Sequence, residues 1–236
     1  MKNNKIIFTL VVVFFLLAAV SIYGKTQEKK EDERLVIAFG DSLTYGYGDE
    51  KGSGYIDTLN ARLNDQSEEK FTFDNEAIYG LESSGILAQM SDVGIRGKID
   101  EADYFIVYIG TNDLINSNGG NLKNLKQEEI AKGKEDYLKN LDAIINILTE
   151  KNEQAPILLL GLYNPYPDSK TIEAVIDEWN NDINNLIKDE KRIVYIPTND
   201  LFKGKNKKQY FSDSLHLNDK GYKLVSDRIL EKYQFE

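Results

Sequence analysis

The chain has 236 residues, of which 41% are hydrophobic and 29% are charged. This composition is typical of a globular protein, and the length fits one domain with a sizeable core. The formal net charge of −10 argues against nucleic acid as a partner. The absence of cysteine excludes disulfides and thiolate metal sites, and the single histidine excludes a histidine-rich metal centre.

The first 24 residues have the pattern of an export signal. Lys2 and Lys5 come before an apolar run over residues 6–20, which only Thr9 interrupts. Counted through residue 23, the run approaches the roughly 20 residues that cross a bilayer. We expect residues 1–24 to be a signal peptide or a retained membrane anchor. The protein would then be secreted or held at the extracellular face of the cytoplasmic membrane.

The next ten residues, 25–34, mix both signs of charge and contain no apolar side chain. This composition indicates a charged, solvated linker. We expect the folded domain to occupy residues 35–236, with no second domain and no internal repeat.

Strand and helix patterns alternate along this domain. Short apolar runs predict five strands, at residues 35–39, 71–78, 102–109, 157–162 and 193–196. Apolar residues at helical spacing predict helices around residues 56–63, 81–90, 137–148, 172–187 and 222–229. Residues 110–120 are polar and predict a loop. The alternation predicts an α/β fold, with a doubly wound, five-stranded parallel sheet covered by helices on both faces.

Three polar or glycine positions fall just after predicted strands. Ser42 follows the first strand, Gly80 the second and Asn112 the third. Because sites in such folds form at the carboxyl ends of the strands, we expect these three residues to converge on one edge of the sheet.

A serine hydroxyl becomes a useful nucleophile only when a base takes its proton. His216 is the only histidine in the chain, so it is the only imidazole that could be this base. Asp213 lies three positions before it, within one turn, and could hold one ring nitrogen while the other faces Ser42. The residues therefore predict a Ser-His-Asp triad in the chain order Ser, Asp, His.

Four blocks of residues now stand in order: Gly40-Asp41-Ser42-Leu43, Asn75 to Gly80, Gly110-Thr111-Asn112-Asp113, and Asp213-Ser214-Leu215-His216. Together they resemble the GDSL or SGNH hydrolase family, and the resemblance spans roughly residues 35–233. It implies a flavodoxin-like, three-layer α/β/α sandwich. It also implies ester hydrolysis through an acyl-enzyme, without a metal or organic cofactor.

The resemblance also assigns roles to individual residues. Ser42 would be the nucleophile, His216 the general base and then the general acid, and Asp213 the residue that orients His216. The oxyanion hole would be formed by the backbone N–H groups of Ser42 and Gly80 and the side-chain amide of Asn112. Leu81 departs from the polar residue that many members carry after the glycine, which leaves the acyl preference open.

Other residues near the predicted edge receive structural interpretations. Asp41 and Asp113 are expected to hydrogen-bond loop backbone rather than take part in the chemistry. Four tyrosines lie on loops near this edge: Tyr45, Tyr47, Tyr163 and Tyr166. They could line the substrate cleft, but tyrosine is abundant in this chain, so we expect them to face solvent.

These features predict a serine esterase or lipase-type acylhydrolase that acts as a monomer on short acyl esters or lysophospholipid-like lipids. One alternative is an esterase that removes O-acetyl groups from cell-wall or other glycans. A more distant alternative is an inactive, flavodoxin-like binding module. The expected partner is thus a small ester, a lipid or an acylated glycan, with membrane contact only through a retained N-terminal segment.

Overall fold

The computed structural model describes residues 33–235. The predicted signal or anchor segment, residues 1–24, and residues 25–32 of the predicted linker lie outside this part of the chain. No helix between residues 33 and 235 combines the length and the apolar character that a membrane-crossing helix needs.

A parallel sheet of five strands forms the centre of the described chain. Its strands are β1 (Glu33–Gly40), β2 (Lys70–Asn75), β3 (Tyr104–Tyr108), β4 (Ile157–Leu160) and β5 (Ile193–Ile196). They lie in the order β2-β1-β3-β4-β5, and every neighbouring pair is parallel. The strand order reverses between β1 and β3, which is where open α/β sheets form their sites. The predicted doubly wound parallel sheet is confirmed.

Helices cover both faces of this sheet. In chain order they are α1 (Ser42–Tyr45), α2 (Gly54–Gln66), α3 (Ser83–Gln89), α4 (Val93–Glu101), α5 (Thr111–Ser117), α6 (Gln127–Lys151), α7 (Lys170–Ile187), α8 (Lys207–Tyr210) and α9 (Asp219–Lys232). Residues of α3 to α7 pack on one face, and residues of α2 and α9 pack on the other. The predicted three-layer α/β/α sandwich is also confirmed.

The side chains of the middle strand β3 alternate between the two cores, one on each face of the sheet. All five of its residues are buried. Phe105 and Val107 join the core under α6 and α7, whereas Tyr104, Ile106 and Tyr108 join the core under α2 and α9. Side chains alternate between the faces of a strand, so a strand covered on both sides has to be apolar throughout.

The predicted boundary between linker and domain is wrong by two residues. The charge pattern places Glu33 and Arg34 in the linker, but both belong to β1 and pair with β2 in register. Strand pairing uses backbone groups, so a charged strand end is tolerated where its side chains have partners. The Arg34 guanidinium contacts Glu69 at 2.9 Å and Asp103 at 3.4 Å.

Two predicted element assignments also differ from the structure. The second strand is predicted to run to residue 78 but ends at Asn75, although the N–H groups of Glu76 and Ile78 still bond to carbonyls of β1. The predicted loop after β3 contains helix α5, whose first turn carries Asn112 and Asp113. Its polar surface gives no helical apolar stripe, because only Thr111 and Leu114 are buried.

Candidate active site

Ser42 begins a one-turn helix at the carboxyl end of β1. The preceding residue, Asp41, caps this turn by accepting a hydrogen bond from the Leu43 N–H at 2.9 Å. Asp41 is only 1% exposed. Burial, reinforced by the nearby charge of Asp113, raises the pKa of Asp41 to about 7. Ser42 itself is buried and faces the segment that carries His216.

A continuous chain of hydrogen bonds joins Ser42, His216 and Asp213. The Ser42 Oγ lies 3.0 Å from the His216 Nε2, and the His216 Nδ1 lies 2.7 Å from the Asp213 Oδ2. An ionised carboxylate can only accept hydrogen bonds, so the Nδ1 carries a proton and the Nε2 of the neutral ring is free to accept from Ser42. These three residues, predicted from the sequence to form a triad, are brought together by the structure.

Asp213 is fixed by its own short turn. Its Oδ1 accepts hydrogen bonds at 2.7 Å from the backbone N–H groups of both Leu215 and His216. Partial burial would raise the pKa of Asp213, but these two bonds and the imidazole contact outweigh it and hold the pKa below its usual range. Asp213 therefore stays ionised at neutral pH.

Asn112 links the segments that carry the other two predicted oxyanion donors. Its Nδ2 donates to the Leu81 carbonyl at 2.9 Å and to the Asp41 Oδ2 at 3.2 Å. Leu81 follows Gly80 and Asp41 precedes Ser42, so the amide lies between the predicted donors. Both of its hydrogens are engaged, which means that an oxyanion would have to replace one of these acceptors.

The backbone N–H groups of Ser42 and Gly80 have no acceptor among the described residues. Gly80 is exposed and has a φ of +75°, a conformation that other residues rarely adopt. No neighbouring atom lies within 4 Å of the position that a Cβ would take. The glycine is thus required by its backbone conformation rather than by lack of space.

Asp113 ties the Asn112 helix to the Gly80 segment. Its carboxylate accepts from the Ser83 N–H at 3.0 Å and from the Ser83 hydroxyl. Burial raises the pKa of Asp113, although the Ser83 bonds oppose the shift. Asp41 and Asp113 hydrogen-bond backbone as predicted, but the N–H groups of Leu43 and Ser83 belong to the first turns of α1 and α3 rather than to loops.

The segment that carries His216 is held by groups that the sequence pattern did not reveal. The Tyr163 hydroxyl donates to the Leu215 carbonyl at 2.6 Å, and the Lys207 Nζ donates to the Ser214 carbonyl at 2.6 Å. On the other side, a Cβ at Gly48 would come within 2.5 Å of the Leu217 carbonyl. Tyr163 and Gly48 are distant from His216 along the chain, whereas Lys207 lies nine positions before it. Of the three, only Tyr163 directly follows a predicted strand.

The loop tyrosines were expected to face solvent, and for Tyr163 this prediction is wrong. Tyr45 and Tyr47 are exposed and Tyr166 is partly buried, but Tyr163 is 1% exposed. Its ring packs against Phe202 and Phe211, and its hydroxyl is satisfied by Leu215. A tyrosine can be buried in this way when a carbonyl lies in reach of its hydroxyl.

The parallel sheet with a Ser-His-Asp arrangement at its carboxyl edge is the arrangement expected of an α/β hydrolytic enzyme, and comparison with known proteins identifies the family. The model of the GDSL-like Lipase/Acylhydrolase family matches residues 38–224. The chain belongs to this family. The family resemblance found in the sequence is thereby confirmed, and the protein is a carboxylic ester hydrolase.

Two bacterial relatives and two solved structures illustrate the similarity. The Bacillus subtilis protein YpmR is 31% identical, covering 90% of this chain and 86% of its own. The spore germination lipase LipC of Bacillus licheniformis is 28% identical, and the match covers 81% of this chain and 92% of LipC. The lipase Lip_vut3 from a goat rumen metagenome has a TM-score of 0.73 and 26% identity, and the match covers 84% of this chain and 97% of that lipase. The acetylxylan esterase Axe2 of Geobacillus stearothermophilus shares the fold. It is 15% identical with a TM-score of 0.69, and the match covers 86% of this chain and 95% of Axe2.

Proposed function

We propose that this protein is a serine esterase that uses Ser42, His216 and Asp213 as its catalytic triad. Its substrates would be short acyl esters or lysophospholipid-like lipids, hydrolysed outside the cytoplasmic membrane by a monomer. The observation that carries this proposal is the continuous hydrogen-bond chain from Asp213 through His216 to Ser42, at 2.7 and 3.0 Å.

In the first half of the reaction, the Ser42 Oγ bonds to the ester carbonyl carbon while its proton passes to the His216 Nε2. The carbonyl oxygen becomes an oxyanion, which the N–H groups of Ser42 and Gly80 stabilise. The Asn112 amide supplies a third donor by exchanging its longer bond, the one to Asp41. The bond to the alcohol oxygen then breaks, and the leaving alkoxide takes the proton from the Nε2.

The second half repeats these steps with water. A water molecule gives a proton to the His216 Nε2 as its oxygen bonds to the acyl carbon, and a second oxyanion forms. When the bond to Ser42 breaks, the Nε2 returns the proton to the Oγ and the acid is released. Throughout, the ionised Asp213 stabilises the positive charge that the imidazole carries.

The proposal is tested with aryl esters that range from acetyl to palmitoyl, hydrolysed by the wild type and by Ser42→Ala. We expect activity on butyryl to octanoyl esters and a loss of about 10⁴-fold or more in the variant. Ser67→Ala is the matched control, because this serine is exposed and lies before β2, at the opposite end of the sheet from Ser42.

Other results would favour the alternatives. Activity confined to acetyl esters and lost in Ser42→Ala would favour a glycan O-acetyl esterase. Activity that survives in Ser42→Ala would reject this serine as the nucleophile. No activity on any ester would favour the inactive binding module.

A further inference from the structure

Exposed apolar side chains are concentrated around the candidate active site. Between residues 33 and 235, four of the five exposed large hydrophobic residues lie in the segments that follow β1 and β2. They are Tyr45, Tyr47, Ile78 and Tyr79, with exposures of 59, 45, 47 and 57%. These are the segments that carry Ser42 and Gly80. Exposed apolar side chains that are clustered in this way often mark a binding site, whereas single, scattered ones need no explanation.

Two of these tyrosines, here called the tyrosine pair, pack against the catalytic imidazole. The Tyr47 ring lies edge-on to His216 at a centroid distance of 4.6 Å, and the Tyr79 ring lies nearly parallel to it at 6.0 Å. The two tyrosine rings are 4.9 Å apart. Neither of their hydroxyls hydrogen-bonds another described residue. Because the two side chains are also about half exposed, part of each ring surface is open to a ligand.

The chemistry of His216 decides which part of an ester would meet these rings. The Nε2 has to hand its proton to the oxygen of the departing alcohol, so that oxygen lies beside the imidazole in the transition state. The group attached to that oxygen must then extend past the rings that flank the imidazole. The acyl group, in contrast, is oriented by the oxyanion donors on the Ser42 and Gly80 backbone.

The charges around the tyrosine pair favour a neutral alcohol. Asp49 lies on the segment of Tyr47, and Asp213 accepts a hydrogen bond from the imidazole, whereas Glu76, on the segment of Tyr79, is paired with Lys98 at 2.5 Å. The nearby cation Lys207 is committed to the carbonyls of Pro165 and Ser214, at 2.5 and 2.6 Å. The carboxylates of Asp49 and Asp213 form no ion pair with a lysine or arginine among the described residues, so they would repel an anionic leaving group.

We propose that Tyr47 and Tyr79 bind the alcohol portion of the substrate and make the enzyme selective for esters of neutral, apolar alcohols. Among the proposed substrates, this selectivity favours short acyl esters over lysophospholipid-like lipids, whose departing alcohol carries a charged phosphate. This inference rests on the proposed function, because it takes His216 as the acid that protonates the leaving group. The exposed Ile78 extends the same apolar surface beyond the ring of Tyr79.

The experiment compares two isomeric esters, hexyl acetate and ethyl hexanoate, with ethyl acetate as the reference. The isomers have the same composition and differ only in whether the six-carbon chain is on the alcohol or the acyl side. We expect Tyr47→Ala and Tyr79→Ala to lower kcat/KM for hexyl acetate by about tenfold, since each removes an apolar ring face. For ethyl acetate and ethyl hexanoate we expect changes below about twofold, because neither ester has an alcohol long enough to cover the rings.

Two sets of control variants accompany this comparison. Val93→Ala removes the fifth exposed large hydrophobic residue between residues 33 and 235, which lies in the first turn of α4 outside these segments, and it should leave all three rates unchanged. Tyr47→Phe and Tyr79→Phe keep the ring, so they should not show the loss of kcat/KM for hexyl acetate that the alanine variants show. Melting temperatures of all variants exclude an effect of misfolding.

Three outcomes would overturn the inference. An equal loss on all three esters would show that the rings only position His216, and a larger loss on ethyl hexanoate would place the rings on the acyl side. An acetylated sugar is tested as a fourth substrate. A larger loss of kcat/KM on this sugar than on hexyl acetate would show that the rings bind a glycan. In these three cases the proposed function stands, whereas no hydrolysis of any ester by the wild type would reject both.

Discussion

At the residue scale, Asp213 performs two tasks with its two carboxylate oxygens. One oxygen holds the backbone of the turn by accepting from the N–H groups of Leu215 and His216, and the other accepts from the imidazole Nδ1. The side chain is 44% exposed, so the short turn rather than burial fixes its position. This arrangement allows the second task to be removed while the first is kept.

Asp213→Asn is the substitution that separates the two tasks. The amide oxygen can still accept from the backbone, but the amide nitrogen would face the His216 Nδ1 and donate to it. The ring proton would then move to the Nε2, which could no longer accept the proton of Ser42. We expect kcat to fall by about 10²- to 10⁴-fold with little change in melting temperature.

The control for this variant is Asp219→Asn, which removes an exposed carboxylate from the first turn of α9. Its kcat should match that of the wild type. Activity of Asp213→Asn within about twofold of the wild type would mean that this carboxylate does not orient the imidazole.

At the element scale, buried hydroxyls position the irregular segments that carry the site. Tyr163 follows β4 and holds the Leu215 carbonyl, and Tyr222 on α9 holds the Tyr47 carbonyl, each at 2.6 Å. Tyr55 on α2 bonds the Thr44 hydroxyl at 3.0 Å, within the one-turn helix of Ser42. The sheet and the long helices thus anchor the short turn and the loops that form the site.

Tyr163→Phe tests this anchoring. The variant keeps the ring in its aromatic cluster and leaves the Leu215 carbonyl without a protein donor. We expect a loss of about 1–2 kcal/mol in unfolding free energy, measured by urea denaturation. We also expect a several-fold loss in kcat, because His216 lies in the loosened segment.

Thr198→Val provides the matched control. It removes a buried hydroxyl that donates to the Gly161 carbonyl at 2.6 Å, away from the His216 segment. This variant should lose a similar amount of stability and keep its kcat. If both variants lost kcat equally, the effect would come from general destabilisation rather than from the position of His216.

At the scale of the whole molecule, the buried Asp41 makes folding stability depend on pH. Burial raises the pKa of Asp41 to about 7, well above the ordinary value of 3.8 that applies when the chain is unfolded. Below the unfolded value, both states carry the proton, so the titration of this group does not change the stability. Between the two values the unfolded state ionises and the folded state does not, so stability falls as pH rises and levels off above about 7.

Asp41→Asn removes this titration. The difference in unfolding free energy between variant and wild type should shift in favour of the variant by roughly 2–4 kcal/mol between pH 4 and 7, and then stay constant. Urea denaturation across this range provides the measurement. A difference that stays constant from pH 4 to 8 would show that Asp41 titrates equally in both states.

The same variant has a separate effect on activity. An asparagine at position 41 can accept from the Leu43 N–H, but its amide nitrogen would face the Asn112 Nδ2, which is also a donor. Asn112 would lose the acceptor that it has in Asp41 at 3.2 Å. Because the stability effect is measured as unfolding free energy and the loss of this contact as kcat, the two effects are measured separately.

The fold was readable from the sequence because each strand is an apolar run and each long helix carries an apolar stripe. The strand that occupies residues 193–196 has the predicted bounds, and the last helix, predicted around residues 222–229, runs from Asp219 to Lys232 with Asn218 as its N-cap. Helices α4 and α5 were missed, because α4 buries only Ile99 and contains two glycines, and α5 has a polar surface. Short helices of this kind depend on their neighbours rather than on their own pattern.

By itself, the sequence determined the number of strands, the α/β class, the family and the residues expected to do the chemistry. These features follow from local periodicity and from blocks of adjacent residues. Only the tertiary structure decided that Asn112 bridges Asp41 and Leu81, that Tyr163 is buried under Leu215, and that Tyr47 and Tyr79 flank His216. Each of these contacts joins residues that are far apart along the chain, and their meeting depends on how the segments beyond the sheet pack together, which no local pattern records.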